Sequence, residues 1–117
     1  MKRALFASSV FALFTAACGG AAVPQEQMTA AQASVRAAEV GGAPNDPQAA
    51  LLLKKCQDGI AEAKKLIEDG NNHRAEMVLM KAQADAELAL ALAQELTMKG
   101  EASDAKKAVQ ELKQRQQ

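Results

Sequence analysis

The chain has 117 residues, with 14 basic and 14 acidic side chains and a formal net charge of zero. The length fits one small domain. The balance excludes a strongly basic nucleic-acid binder and a polyacidic tail. All three aromatics, Phe6, Phe11 and Phe14, fall in the first fourteen positions, so the rest has no flat ring on which a base or sugar could stack.

Met1-Lys2-Arg3 is followed by Ala4–Ala17, where only Ser8, Ser9 and Thr15 carry a polar side-chain atom. A basic start, a short apolar run and small residues at its end predict a secretory signal peptide over residues 1–17. The run is too short for a membrane span, which needs about 20 apolar residues. It ends in Thr15-Ala16-Ala17-Cys18-Gly19, which resembles a bacterial lipobox, although Thr15 stands where leucine is usual. The resemblance implies that Cys18 becomes the first mature residue and carries diacylglycerol on sulfur and an acyl chain on its amino group. Gly19 stands where an aspartate would signal retention at the inner membrane, so the implied destination is the outer membrane, periplasmic face. Removing Lys2 and Arg3 takes the 14:14 balance to a net charge of −2. Stable anchoring takes more than one acyl chain, each buried methylene contributing about 0.8 kcal/mol.

Residues 18–25, the lipidated cysteine followed by two Gly, a Pro and small side chains, predict a flexible stalk. Residues 26–117 form the predicted helical domain. A first helix over 26–40 follows from Met28, Ala31, Val35 and Ala38, spaced three, four and three apart. Gly41-Gly42-Ala43-Pro44 breaks it. Asp46 and Pro47 open a second helix, the carboxylate capping free N–H groups and proline occupying the first turn, and Gly70 closes it after Asp69. Leu53, Cys56, Ile60, Ala63 and Ile67 mark its buried side, flanked by Leu52 and Leu66. Lys54, Lys55, Lys64 and Lys65 alternate with Asp58, Glu62 and Glu68 as a solvated face. Cys56 reads as a small buried hydrophobe.

A third helix is predicted over 72–99. Ala75, Leu79, Ala82, Ala86, Ala89, Ala93 and Leu96 repeat at four and three, a heptad-like seam made mostly of alanine. Small seam residues predict close antiparallel packing against the second helix. Gly100 is expected to end the third helix. A fourth then follows over 103–115, with Ser103 as its cap and Ala105, Val109 and Leu112 at helical spacing. Strand signals are negligible. The expected fold is all-α, a small antiparallel helical hairpin or bundle of three to four helices around an alanine-rich seam.

Ala63, Leu66, Gly70, Ala75, Leu79 and Ala82 stand at the spacing of a tetratricopeptide helix pair, which they resemble weakly; the closing proline and a second copy are missing. The run Lys81-Ala82-Gln83-Ala84-Asp85-Ala86-Glu87-Leu88-Ala89, with a glycine at the hairpin, is similar to an uncharacterised family of bacterial envelope lipoproteins, over roughly Thr29–Leu96. Some members carry an OmpA-like peptidoglycan-binding domain downstream. That activity is not carried over to this chain.

Chemistry-bearing residues are few. His73 is the single histidine, and only Ser34, Ser103, Thr29 and Thr97 supply hydroxyls beyond Cys18. No nucleophile–base arrangement, metal-ligand spacing or phosphate loop is present. The expectation is a non-enzymatic protein with no catalytic or metal residues and no cofactor besides the lipid on Cys18. A partner-binding surface is expected from Leu52, Leu66, Met77, Met80, Leu88 and Leu92, because methionine adapts to partner surfaces. The expected partners are the membrane, through the anchor, and an envelope protein or a second copy, with no nucleic acid. The alternative is a periplasmic carrier or chaperone that takes lipid or unfolded chains in an apolar groove lined by Leu52, Leu66, Leu88 and Leu92.

Overall fold

The computed structural model describes residues 20–116. Among them the chain is all-α, with helices α1 (Gln25–Val40), α2 (Pro47–Glu68) and α3 (Asn72–Arg115) and a 3₁₀ turn at Ala43–Asn45. The signal segment and Cys18 lie outside the described residues.

Local chemistry sets the boundaries of the first two helices. Gly42, with φ of +93°, reverses the chain after α1, and the Asp46 carboxylate Oδ1 accepts from the Ala49 N–H at 2.7 Å to cap α2. At the other end of α2, Gly70 has φ of +75°. Its N–H donates to the Ile67 carbonyl at 3.0 Å, and the Asn71 N–H donates to the Leu66 carbonyl at 2.7 Å. This paired bond pattern is the Schellman stop, which needs a left-handed residue that glycine supplies without strain. The chain reverses here into α3.

The predicted third and fourth helices are one helix of 44 residues. Gly100 does not stop it: it lies in the exposed projecting half, where no other element comes within 4 Å of the position a Cβ would take. A mid-helix glycine costs about 1 kcal/mol, whereas ending the helix would strand carbonyls and N–H groups on both sides with no packing in return. Ser103 is therefore an exposed interior residue.

The three helices pack up, down and up. α2 and α3 form the antiparallel hairpin, and α1 lies along it beside α3, with Gln27 Nε2 donating to Glu76 Oε1 at 3.1 Å near the turn end. Ten of the fifteen buried hydrophobic residues are alanine. One cluster, near the Gly70 turn, joins Ala31, Cys56, Ile60, Ala63, Leu66, Ala75, Leu79, Ala82 and Ala86. The second joins Ala38, Ala43, Ala49, Leu53, Ala89 and Ala93. A Cβ placed on Gly59 would sit 3.2 Å from the Ala82 Cβ, so the hairpin axes approach as closely as the small side chains allow.

The expected seam is buried from Ala75 to Ala93, but Leu96 is exposed. There α3 passes the end of α2, and every residue from Gln94 to Gln116 is exposed. At about 1.5 Å per residue, α3 projects roughly 30 Å beyond the packed body.

Candidate functional site

The structure divides the six residues expected to form a partner surface. Leu66 belongs to the core at the Gly70 turn, and Leu52 and Leu92 are half-buried against the second cluster. Met77, Met80 and Leu88 are at least half exposed. The four leucines of the carrier alternative therefore line no common groove. Leu66 is buried because the Schellman turn folds the chain back across it; Ile67, its expected substitute, is partly buried beside the same cluster.

Met77, Met80 and Leu88 share the outer face of α3, away from α1 and α2. With the exposed Ala84 and Ala91 between them they make a ridge at helical spacing. The ridge resumes on the projecting half as Met98, Ala102, Ala105, Val109 and Leu112, all exposed. The spacing of Ala105, Val109 and Leu112 is legible in the sequence. Their membership of the same face as Met77 and Met80 depends on α3 continuing through Gly100.

The largest concavity among those described is an open groove of about 400 Å³ between α2 and α3 at Gly59. Lys55, Asp58, Glu62, Lys81 and Asp85 rim it, and two of the pairs they form, Lys54–Asp58 at 3.2 Å and Lys81–Asp85 at 3.0 Å, are i,i+4 bridges on the helix surface. Such exposed pairs contribute little. The mixed charge around the rim makes this a solvated face. His73 is exposed, with Nδ1 3.9 Å from Glu76 Oε2, and no nucleophile stands with it. Among the described residues there is no group of three His, Cys, Asp or Glu side chains able to hold a metal ion. No helix among them is long and apolar enough to cross a membrane.

The residues before α1 are held at the start of α3. Asn72 Nδ2 donates to the Ala21 carbonyl at 2.6 Å, and Pro24 is buried. The described part of the predicted stalk thus lies against the body and leaves it at the Gly70 turn.

Cys56 is a buried free thiol in the turn-end cluster. Burial raises its pKa above the ordinary thiol value, and the negative charge of Asp85 raises it further. The thiolate is disfavoured in the folded chain relative to the unfolded one, so this contribution to stability is fully present below the unfolded thiol pKa, about 8.5, and is lost as pH rises through the folded value. Denaturation midpoints between pH 7 and 10 are expected to fall further for the parent chain than for Cys56→Ala. Parallel pH curves for the two would contradict the burial of this thiol.

The fold and its surface define a three-helix all-α body with a long projecting helix and an apolar outer ridge. The model of a domain of unknown function, DUF4398, matches residues 26–117, and the chain belongs to that family. No curated protein and no solved structure matches it.

Proposed function

We propose that the chain is a non-enzymatic lipoprotein of the bacterial envelope, anchored through acylated Cys18 at the periplasmic face of the outer membrane. It presents the α3 ridge to a protein partner. The observation that carries this reading is the exposed row Met77, Met80 and Leu88, continued by Met98, Val109 and Leu112 on a helix that leaves its own core. A large apolar row on a soluble body marks an interaction surface. The amino-terminal sequence supports the anchor: a basic start, an apolar run and Ala16-Ala17-Cys18 supply what acylation at sulfur requires. Similarity to envelope lipoproteins found upstream of OmpA-like domains supports a role in envelope organisation.

Attachment at Cys18 is consistent with the exit of the chain at the Gly70 turn, which leaves the projecting end of α3 farthest from the bilayer. Replacing Cys18 with serine removes the acylated sulfur. Cys18→Ser is expected to move the protein from the membrane pellet to the soluble fraction of the cells that make it. The native chain is expected to exceed the mass of residues 18–117 by a diacylglyceryl group and an acyl chain. A native chain found soluble, with an unmodified thiol, would overturn the anchor.

A further inference from the structure

We propose that the projecting half of α3 pairs with the same segment of a second copy, parallel and in register, along Met98, Ala102, Ala105, Val109 and Leu112. The inference rests on the reading of the α3 ridge as an interaction surface and names its partner.

The five residues are four, three, four and three apart, which is the seam spacing of a two-stranded coiled coil. They lie on the face opposite Ala82, Ala86, Ala89 and Ala93, the positions α3 spends on its own body. Met98, Val109 and Leu112 are 61%, 50% and 59% exposed. Away from this line the segment is polar except at Leu96 and Gly100: Thr97, Ser103, Asp104, Lys107, Gln110, Glu111 and Gln114 occupy the other outer positions. A lone helix of this length is marginal in water, and one that contains Gly100 more so, so a partner along the seam stabilises the segment.

Charge decides both the occupant and its direction. Lys99, Lys106 and Lys113 flank the seam on one side, and Gln94, Glu101 and Ala108 flank it on the other. In a parallel, in-register pair each residue of the second set faces the residue five positions further along on the partner. Glu101 then meets Lys106 twice by symmetry, Gln94 meets Lys99, and no like charges meet. An antiparallel pair would set the three lysines against the partner's three lysines. On the outer face Lys107 pairs with Asp104 at 3.3 Å within the helix, whereas Glu101 and Lys106 form no ion pair among the described residues. The two groups that a parallel copy would join are thus both free to pair, as are Glu111, Lys113 and Arg115 further along, whereas Lys99 already has Glu95 within its own helix. Parallel pairing also puts both Ala21 segments at the same end, beside Asn72, as two chains anchored in one membrane require. Anchoring raises the effective concentration of a short seam.

The test is disulfide trapping of the full chain in its own envelope, on a Cys56→Ala background, with one cysteine introduced at a time: Met98→Cys, Leu112→Cys and, as the outward-facing control, Gln110→Cys. Facing seam positions lie within disulfide reach, and outward positions do not. Met98→Cys and Leu112→Cys are each expected to give about tenfold more self-linked dimer than Gln110→Cys. One antiparallel register cannot bring both positions onto their own copies, since they lie roughly 20 Å apart along the helix. Dimer from only one of the two overturns the parallel pair. Dimer at the control level overturns self-pairing, as does capture of a different protein at both seam positions. Membrane fractionation of the same cells reports the anchor separately, so a soluble chain that still forms both dimers defeats the anchor and leaves the pairing intact.

Discussion

Leu79→Ala is expected to remove about 2–5 kcal/mol of stability, enough to unfold a large share of the molecules at room temperature. Leu79 is fully buried and is, with Cys56, the largest side chain completely removed from solvent. Ten alanines form the rest of the interior with only Leu53, Ile60, Leu66, Leu79 and Cys56, so few large groups supply most of the apolar area. A core confined to a packed body of about 70 residues, from Gln25 to Ala93, rarely supplies more than about 3–5 kcal/mol. Helices that touch through alanine cannot close around the void, because their backbones are already near contact at Gly59 and Ala82. Urea denaturation against Leu88→Ala is the measurement. Leu88 is half exposed on the outer ridge, and its truncation is expected to stay within about 0.5 kcal/mol. Equal losses in the two variants would mean that the interior is not centred on Leu79.

The same contrast between small and large side chains shows which parts of the fold are written locally. Asp46, Pro47 and Gly70 act through their own backbone geometry. The start of α2 and its Schellman end are therefore readable from a few adjacent residues. The buried run Ala75–Ala93 is readable because a four–three repeat of small residues has one use, close packing. Gly100 is different. The same residue type ends α2 at Gly70 and is absorbed at Gly100, and what separates them is tertiary. At Gly70 the returning chain is met by Leu66 and the core, whereas Gly100 has no neighbour to reward a reversal. Leu66 and Ile67 were likewise separable only by the path of the turn. Periodicity favours Ile67, and the fold-back of Asn71 over Leu66 buries Leu66 instead. The apolar ridge was half legible. Met77, Met80 and Leu88 were legible only as part of a six-residue surface with Leu52, Leu66 and Leu92, which are buried or half-buried, and their continuity with Val109 and Leu112 requires the uninterrupted α3.

Ala82→Leu tests that close packing from the opposite direction, by adding volume. Leucine and alanine have nearly equal helix propensities, so the exchange changes little in α3 taken alone. In the body, Ala82 faces Gly59, where even one added carbon on the glycine would stand 3.2 Å from the Ala82 Cβ. Three further carbons on Ala82 have no space unless α2 and α3 move apart, and moving them apart opens gaps beside Ala75, Ala86 and Cys56. Overpacking of this kind costs about 1–3 kcal/mol. The figure at this position is expected near the upper end, since both facing residues are minimal and neither can rotate out of the way. Ala61→Leu, an exposed exchange on α2, is expected to stay within about 0.5 kcal/mol. Gly59 itself would otherwise be a liability of about 1 kcal/mol in the middle of α2, and its contact with Ala82 gives that liability a structural return. If Ala82→Leu denatured at the parent midpoint, the hairpin would have to be held by something other than this seam, and the alanine repeat would lose its physical explanation.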